Sequence, residues 1–275
     1  MRRHVFIPDT QIKPGVPTDH IEWIAQAVVD YRPDVIVVGG DWWDMHSLNS
    51  YEQPGSVPLE GARYKDDIDA GNTAFERFCA PIEAEINRLK ATKKRAWSPR
   101  KIFLTGNHED RADRAALHDA KWAGHIGSEN CNIRDFERHK FLEIVEVDSV
   151  LYSHYFKMQN SNSPIGGSTD NRLNKIGRSH TQGHQVGFLY GNRVYPDGKT
   201  RHSLTAGSCY LHQEEYRGPQ CNKHFRGIIV KNEVSDGNYD IMPVSLNYLC
   251  RKFCGTDLVS YMRKNYSFQD WDHLA

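Results

Sequence analysis

Val35-Ile36-Val37-Val38-Gly39-Gly40-Asp41-Trp42-Trp43-Asp44 is the stretch on which the fold turns. Its four consecutive apolar residues suit a strand buried on both faces, the kind found in parallel sheets covered by helices. The run ends in glycines and an acid, and parallel α/β sheets gather ligands at the carboxyl ends of their strands. Upstream, 5–8 is a short apolar run that stops at Asp9. Thr18-Asp19 then offers a cap for a helix through about Tyr31, with Ile21, Ile24, Ala25 and Val28 on one face and Pro33 as the breaker. Downstream, a helix is expected over 68–90, carrying Phe75, Phe78, Ile82 and Ile86. A third strand follows over 101–105 and a third helix over 112–123. Strand and helix alternate three times, which is the α/β pattern with crossover connections.

After about Asn130 the period shortens. Runs at 141–147, 150–152, 187–190, 203–206, 227–230 and 239–244 read as strands, with Asp197-Gly198 and Asp236-Gly237 as turn signals. The expected fold is therefore α/β: two sheets enclosing one core as a β-sandwich, flanked by helices, the second sheet more antiparallel. No internal repeat or linker interrupts the chain, so 1–275 reads as a single domain. Two segments, about 45–67 and 155–177, are long for loops of a compact domain and suggest binding or lid roles. Each begins directly after a candidate site residue, Asp44 and His154.

The chain has 275 residues, 39% of them hydrophobic, enough to bury one sizeable core. Formal net charge is zero, which argues against a dedicated basic nucleic-acid binder but not against a nuclease whose metals supply positive charge. No stretch approaches the length of a membrane span, and the start lacks the apolar centre of a signal peptide. The six cysteines, at 79, 131, 209, 221, 250 and 254, are then expected as reduced thiols in a cytoplasmic protein.

Five polar clusters stand beside hydrophobic stretches: Asp9-Thr10-Gln11, Gly40-Asp41-Trp42-Trp43-Asp44, Gly106-Asn107-His108-Glu109, Ser153-His154 and Ser179-His180-Thr181-Gln182. Any one could be a helix cap, a turn residue or a satisfied core histidine. Together they offer carboxylate, amide oxygen and imidazole, a set suited to divalent ions of intermediate hardness. Two such ions about 3.5–4 Å apart can clamp a phosphate.

On these clusters the chain resembles the calcineurin-like metallophosphoesterase superfamily. That family's signature runs Asp-x-His, Gly-Asp-x-x-Asp, Gly-Asn-His-Glu/Asp, a later histidine usually after glycine, and Gly-His-x-His. The second and third motifs match fully at Gly40–Asp44 and Gly106–Glu109, and the likeness covers roughly 5–182. It implies that Asp41 bridges two metals, that Asp9 belongs to the first site, and that Asn107, His154 and His180 belong to the second. His108 would assist the leaving oxygen, with Asp44 behind it, and a metal-bridging hydroxide would attack phosphorus. Gln11 stands where the family commonly has histidine, Ser153 replaces a glycine, and Gln182 falls where the last histidine is expected. His184, two residues on, is the alternative to Gln182. Amide ligation is harder than imidazole ligation, so the expected cofactors are two divalent ions with Mn²⁺ favoured, and Mg²⁺, Fe²⁺, Ni²⁺ or Zn²⁺ open.

The implied activity is a metal-dependent phosphoric ester hydrolase, foremost a phosphodiesterase. The alternatives are a DNA exonuclease or endonuclease, a phosphomonoesterase or protein phosphatase, and a weakened interaction protein. The expected substrate is a small organic phosphodiester, a nucleotide or a nucleic-acid end. Lys157, Arg172, Lys175 and Arg178 could grip phosphate, with Tyr51 and one of Trp42 and Trp43 as stacking candidates, although both tryptophans fit core packing equally. The basic run 88–101 lies at the opposite end of its strand and reads as helix-dipole compensation. Cys209, His212, Cys221 and His224 form two Cys-x2-His pairs that could hold a zinc, but ordinary thiols and surface histidines are the expected reading.

Overall fold

The apolar run at its centre forms β2 (Val35–Val38), paired in parallel with β1 (Arg2–Ile7) on one side and β3 (Arg100–Leu104) on the other. The computed structural model describes residues 2–50, 52–53, 55–92, 96–214, 219–267 and 270–274. A short β4 (Glu137–His139) continues the sheet in parallel beyond β3. On the other side β10 (Gly227–Ser235) pairs antiparallel with β1, and β11 (Asn238–Ser245) antiparallel with β10. The six-stranded order is β11-β10-β1-β2-β3-β4.

The second sheet is built from β5 (Val145–Val147), β6 (Val150–Tyr152), β7 (His180–Gln182), β8 (Phe188–Val194) and β9 (Thr200–Ala206), in the order β5-β6-β7-β9-β8. It is mixed: β6, β7 and β9 run parallel, and the outer pairs antiparallel. The two-sheet α/β sandwich flanked by helices is as expected, with one change of membership. The last two strands join the first sheet, not the second. Ile229 of β10 faces the other sheet, while Ile228 and Val230 feed the core under the helices. A strand apolar on both faces needs a sheet covered on both sides.

Phe6, Val37, Leu104, Val150, Leu204 and Ile229 fill the space between the sheets. The outer face of the first sheet is covered by α1 (His20–Tyr31), α2 (Tyr64–Ala91) and α5 (Leu246–Cys254), with α6 (Leu258–Asn265) against α5. Asp19 precedes α1 but does not cap it; its carboxylate accepts hydrogen bonds from Tyr261 and Tyr266 near the C-terminus. The third helix, α3 (Asp110–His118), starts at the site and ends before Ala123. Only the end of the expected strand at 141–147 pairs, because Leu142 adopts φ +65° in a turn. Segment 155–177 is partly ordered as α4 (Thr169–Ile176), capped by Ser168. Among the described residues no helix is long and apolar enough to cross a membrane.

Candidate metal centre

The carboxyl ends of β1, β2, β3, β6 and β7 meet at one rim, delivering Asp9, Asp41, Asn107-His108, His154 and His184. The turn after β2 is demanding: Gly40 has φ +89°, and a Cβ there would lie 2.7 Å from Leu104 O and Gly106 N. Glu109, fully buried, fixes this turn. Its carboxylate accepts hydrogen bonds from the backbone N–H groups of Asp41 (3.0 Å), Trp43 (3.0 Å) and Gly106 (2.8 Å). Asp41 is held at φ +50°, and its Oδ1 accepts from His108 N at 2.9 Å.

Asp41, His154 and His184 form a group whose donor atoms all lie within 4.8 Å of one another. Asn107 Oδ1 sits between the imidazoles, 2.9 Å from His154 Nε2 and 2.7 Å from His184 Nδ1. His154 Nε2 is 3.3 Å from Asp41 Oδ2, and its Nδ1 donates to Gly39 O at 2.8 Å. A backbone acceptor on the far nitrogen is the usual device for aiming the near nitrogen at a metal. The donor set, one carboxylate, one amide oxygen and two imidazoles, fits a divalent ion. Tyr155 packs on His184 with ring centroids 4.5 Å apart.

Burial opposes charge at His154, but Asp41 outweighs it and lifts the imidazole to about 9. Burial likewise works against Asp41, yet His108 and His154 hold its carboxyl far below the usual range. At Asp9 burial wins, with Asp41 adding repulsion, and the carboxyl rises to about 7. Asp9 Oδ1 accepts from His184 N at 3.0 Å. Its buried Oδ2 has no partner among the described residues, nor does Gln11 Oε1. An unpaired buried carboxylate oxygen is costly and calls for a cation or proton.

His108 projects from the turn before α3. Its Nδ1 faces Asp44 Oδ1 at 2.8 Å, and its Nε2 lies 3.8 Å from Asp41 Oδ2. Burial would lower the imidazole, but Asp41 and the Asp44 hydrogen bond raise it overall. Arg111, one turn along, reaches His108 Nε2 at 3.2 Å and donates to Asp44 O at 2.9 Å. Lys13 Nζ lies 3.3 Å from Asp44 Oδ2. Burial works against the Asp44 charge, but the hydrogen bond and charge of His108, with Lys13 and Arg111 adding less, hold its carboxyl well below ordinary carboxylates.

His180 is not brought to this group. Its Nδ1 donates to Arg178 O at 2.9 Å and its Nε2 accepts from Ser203 Oγ at 2.9 Å, so both nitrogens are occupied on the second sheet. Gln182 accepts from Phe156 N at 3.4 Å. Gly183-His184 carries the glycine-histidine pair of the expected last motif, four residues later than Ser179-His180. The close approach explains the glycine: a Cβ on Gly183 would lie 2.3 Å from Asp9 Oδ1. Val186, buried, then occupies the place of the motif's second histidine.

Other expectations are corrected. Trp42 and Trp43 are fully buried, donate to Gly71 O and Ile68 O of α2, and pack on Phe75; neither can stack on a substrate. Tyr51 lies outside the described residues, as do positions 93–95 of the basic run. Arg172, nearly buried, clamps Gly167 O, Thr205 and Gln185, and Arg178 pairs with Glu146. Arg172 is thus committed to the protein's own acceptors, whereas Arg178 pairs with Glu146 at the surface. Among the described residues Cys209, His212, Cys221 and His224 form no metal group; His212 pairs with Glu214 and His224 with Ser208. Glu109, Arg111 and Lys13 escaped sequence reasoning. Glu109 stood inside a quoted motif, but its hydrogen bonds to three peptide groups are visible only in three dimensions.

No family model and no curated protein matches this sequence. Among solved structures, a conserved uncharacterized protein of Streptococcus pneumoniae TIGR4, described as a predicted phosphoesterase, is similar with a TM-score of 0.31 and 11% identity over 88% of this chain and 98% of that one. So loose an overlap transfers neither residues nor activity.

Proposed function

We propose that this chain is a divalent-metal-dependent phosphoesterase of the calcineurin-like metallophosphoesterase superfamily, acting foremost on small phosphodiesters. The observation that carries the reading is the convergence of Asp41, Asn107, His154 and His184 beside a His108–Asp44 pair. Those four would hold one ion. Asp9, Gln11 and the shared Asp41 would hold a second, through oxygen alone. Oxygen donors favour Mn²⁺ or Mg²⁺ there over Zn²⁺. A bound divalent ion supplies Lewis acidity toward a phosphoryl oxygen and eases deprotonation of water.

The remaining chemistry belongs to side chains. His108, whose imidazole Asp41 and the Asp44 hydrogen bond shift toward its charged form against burial and Arg111, would donate a proton to the leaving oxygen. Asp44 fixes which face of the ring turns outward, and Arg111 adds positive charge beside Nε2. The adjoining cleft is lined by four carboxylates, Asp44, Glu52, Glu214 and Asp270, against two fixed cations, Lys13 and Arg111. That balance suits an ester with one phosphate and opposes a nucleic-acid strand, whose binding requires many phosphate contacts.

The test is hydrolysis of bis-p-nitrophenyl phosphate, p-nitrophenyl phosphate and single-stranded DNA with Mn²⁺, alongside Asp41→Ala. Diester turnover abolished by Asp41→Ala supports the reading. DNA cleavage outrunning the small diester would move it to a nuclease. Stoichiometric metal without any turnover would leave a binding protein.

A further inference from the structure

A row of aromatic rings flanks the donor group on the side of its imidazoles. Tyr155 packs on His184 with ring centroids 4.5 Å apart and on His154 at 5.8 Å. Phe141 meets Tyr155 edge to face at 5.6 Å and lies 6.2 Å from the His154 ring. Tyr155 and His154 are buried, whereas Phe141 is partly exposed and forms the outer end of the row. The cleft of about 600 Å³ beside His108 is lined by neither Phe141 nor Tyr155.

Phe141 is held there by a built turn. His139 ends β4, and its C=O accepts from Thr105 N at 3.0 Å, so the chain leaves the sheet at the same rim as Gly106-Asn107. The Glu143 carboxylate accepts from Lys140 N at 2.9 Å and from His139 Nδ1 at 2.8 Å, while Glu143 N donates to Lys140 O at 3.0 Å. Inside this clamp Leu142 is forced to φ +65°. Strain of this kind gathers at active sites and ligand clamps.

The chemistry of a diester gives the row a task. In-line displacement sends the leaving alcohol away from the attacking oxygen, toward its proton donor, and the retained alcohol projects sideways from phosphorus. Asp41 Oδ2 lies 3.8 Å from His108 Nε2 and 3.3 Å from His154 Nε2. A phosphoryl group beside this carboxylate therefore has the proton donor within reach on one hand and the aromatic row on the other.

We infer that Phe141 is a specificity residue that packs against an aromatic ring on the retained alcohol, so that aryl or nucleoside diesters are preferred to alkyl ones. This rests on the phosphodiesterase reading. Ring pairs in offset or edge-to-face contact add to the apolar area they bury.

The experiment keeps the leaving group constant and varies the retained one. The full, Mn²⁺-loaded chain is given methyl, benzyl and thymidine 5′ p-nitrophenyl phosphates, and kcat/KM is compared. An aromatic ester should exceed the methyl ester by about tenfold, and whether benzyl or thymidine leads separates a simple aryl group from a nucleobase. Binding is read independently by calorimetry with dimethylphosphinate and benzyl(methyl)phosphinate, which cannot be hydrolysed; the benzyl compound should bind about tenfold more tightly. Phe141→Ala should bring both ratios toward one. Should that variant fail to fold, cross-relaxation between the benzyl protons and the Phe141 ring is measured by NMR in the unmodified chain loaded with diamagnetic Mg²⁺, where contact should be seen. Ratios near one in the unmodified chain, ratios that survive Phe141→Ala, or no cross-relaxation to Phe141 overturn this inference alone. Turnover of none of the three diesters overturns the phosphodiesterase reading and this inference with it.

Discussion

Replacing His184 by alanine, with His180→Ala beside it, decides which histidine of the 179–184 segment serves a metal. His184 Nδ1 lies 2.7 Å from Asn107 Oδ1, within the same donor group as Asp41 and His154. Structural four-ligand zinc sites bind with about 10–16 kcal/mol, or roughly 2.5–4 kcal/mol per ligand. Loss of His184 should therefore weaken Zn²⁺ by about 10²–10³-fold, and Mn²⁺, which gains less from imidazole, by less. His180 is fully buried and bonded to Ser203 and the Arg178 carbonyl. Its loss should cost about 2–4 kcal/mol of stability through the cavity and the unpaired hydroxyl, with metal affinity little changed. The assay is calorimetric titration of metal-stripped protein with Zn²⁺ and Mn²⁺, with thermal unfolding in parallel. Weakened metal binding in His180→Ala, with His184→Ala unaffected, would refute the ligand assignment.

His108→Ala should retain its metal while losing turnover by about 10²-fold or more; loss of metal by elemental analysis would count against a proton-donor role. Glu109→Gln presents an amide N–H₂ to at least one of the backbone N–H groups that the carboxylate now accepts, and should cost about 1–3 kcal/mol in denaturant unfolding together with weaker metal binding. In acid, burial pushes His180 down to about 4, so the unfolded chain takes up its proton first. Stability from this group is complete above about pH 6.5 and is lost as pH falls toward 4, on the order of 3 kcal/mol; His180→Asn should flatten that limb of the stability–pH curve, and an unchanged limb would exclude His180 as its source. Lys231 is fully buried between the sheets, its amine lowered well below the usual range by burial. Lys231→Met removes bonds to Tyr152 and Thr181; it should be near neutral at pH 7 by urea titration, since Tyr152 keeps its bond to His4 and the buried amine is no longer desolvated, and destabilisation beyond about 3 kcal/mol would show that the amine is a necessary tie.

The first half of the fold was legible because its elements announce themselves locally. Val35–Val38 reads as a doubly covered strand from four residues, and Gly40–Asp44 and Gly106–Glu109 follow their strands directly. The second half was less so. Short strands such as 180–182 carry no period of their own, and β10 could be assigned to the first sheet only by knowing that both its faces are covered. The last motif was misjudged for a related reason. His180-Thr181-Gln182 and Gly183-His184 both offer a histidine, and only the path of β7 decides which reaches the rim. Trp42 and Trp43 looked like rim aromatics because the turn residues Gly39 and Gly40 precede them. In space the chain turns back under α2 and carries both indoles into its core.

The distribution of donors across the two sheets ties the fold to the site. The first sheet brings oxygen donors to the rim, from Asp9, Asp41 and Asn107; the second brings nitrogen donors, from His154 and His184. A cation at this rim therefore joins both halves of the sandwich, and binding energy becomes folding energy in proportion to its affinity. Three residues at the rim, Gln11, Asp41 and His184, hold positive φ values of 44°, 50° and 61°. Such conformations cost about 1–3 kcal/mol each in residues other than glycine and persist where surrounding structure imposes them. At Asp41 the imposing element is Glu109; at His184 it is Asp9, which accepts the residue's own N–H. Asp9 thus sets the backbone from which the His184 imidazole reaches Asp41 and His154, so loss of Asp9 would displace His184 as well as remove an oxygen donor from the rim.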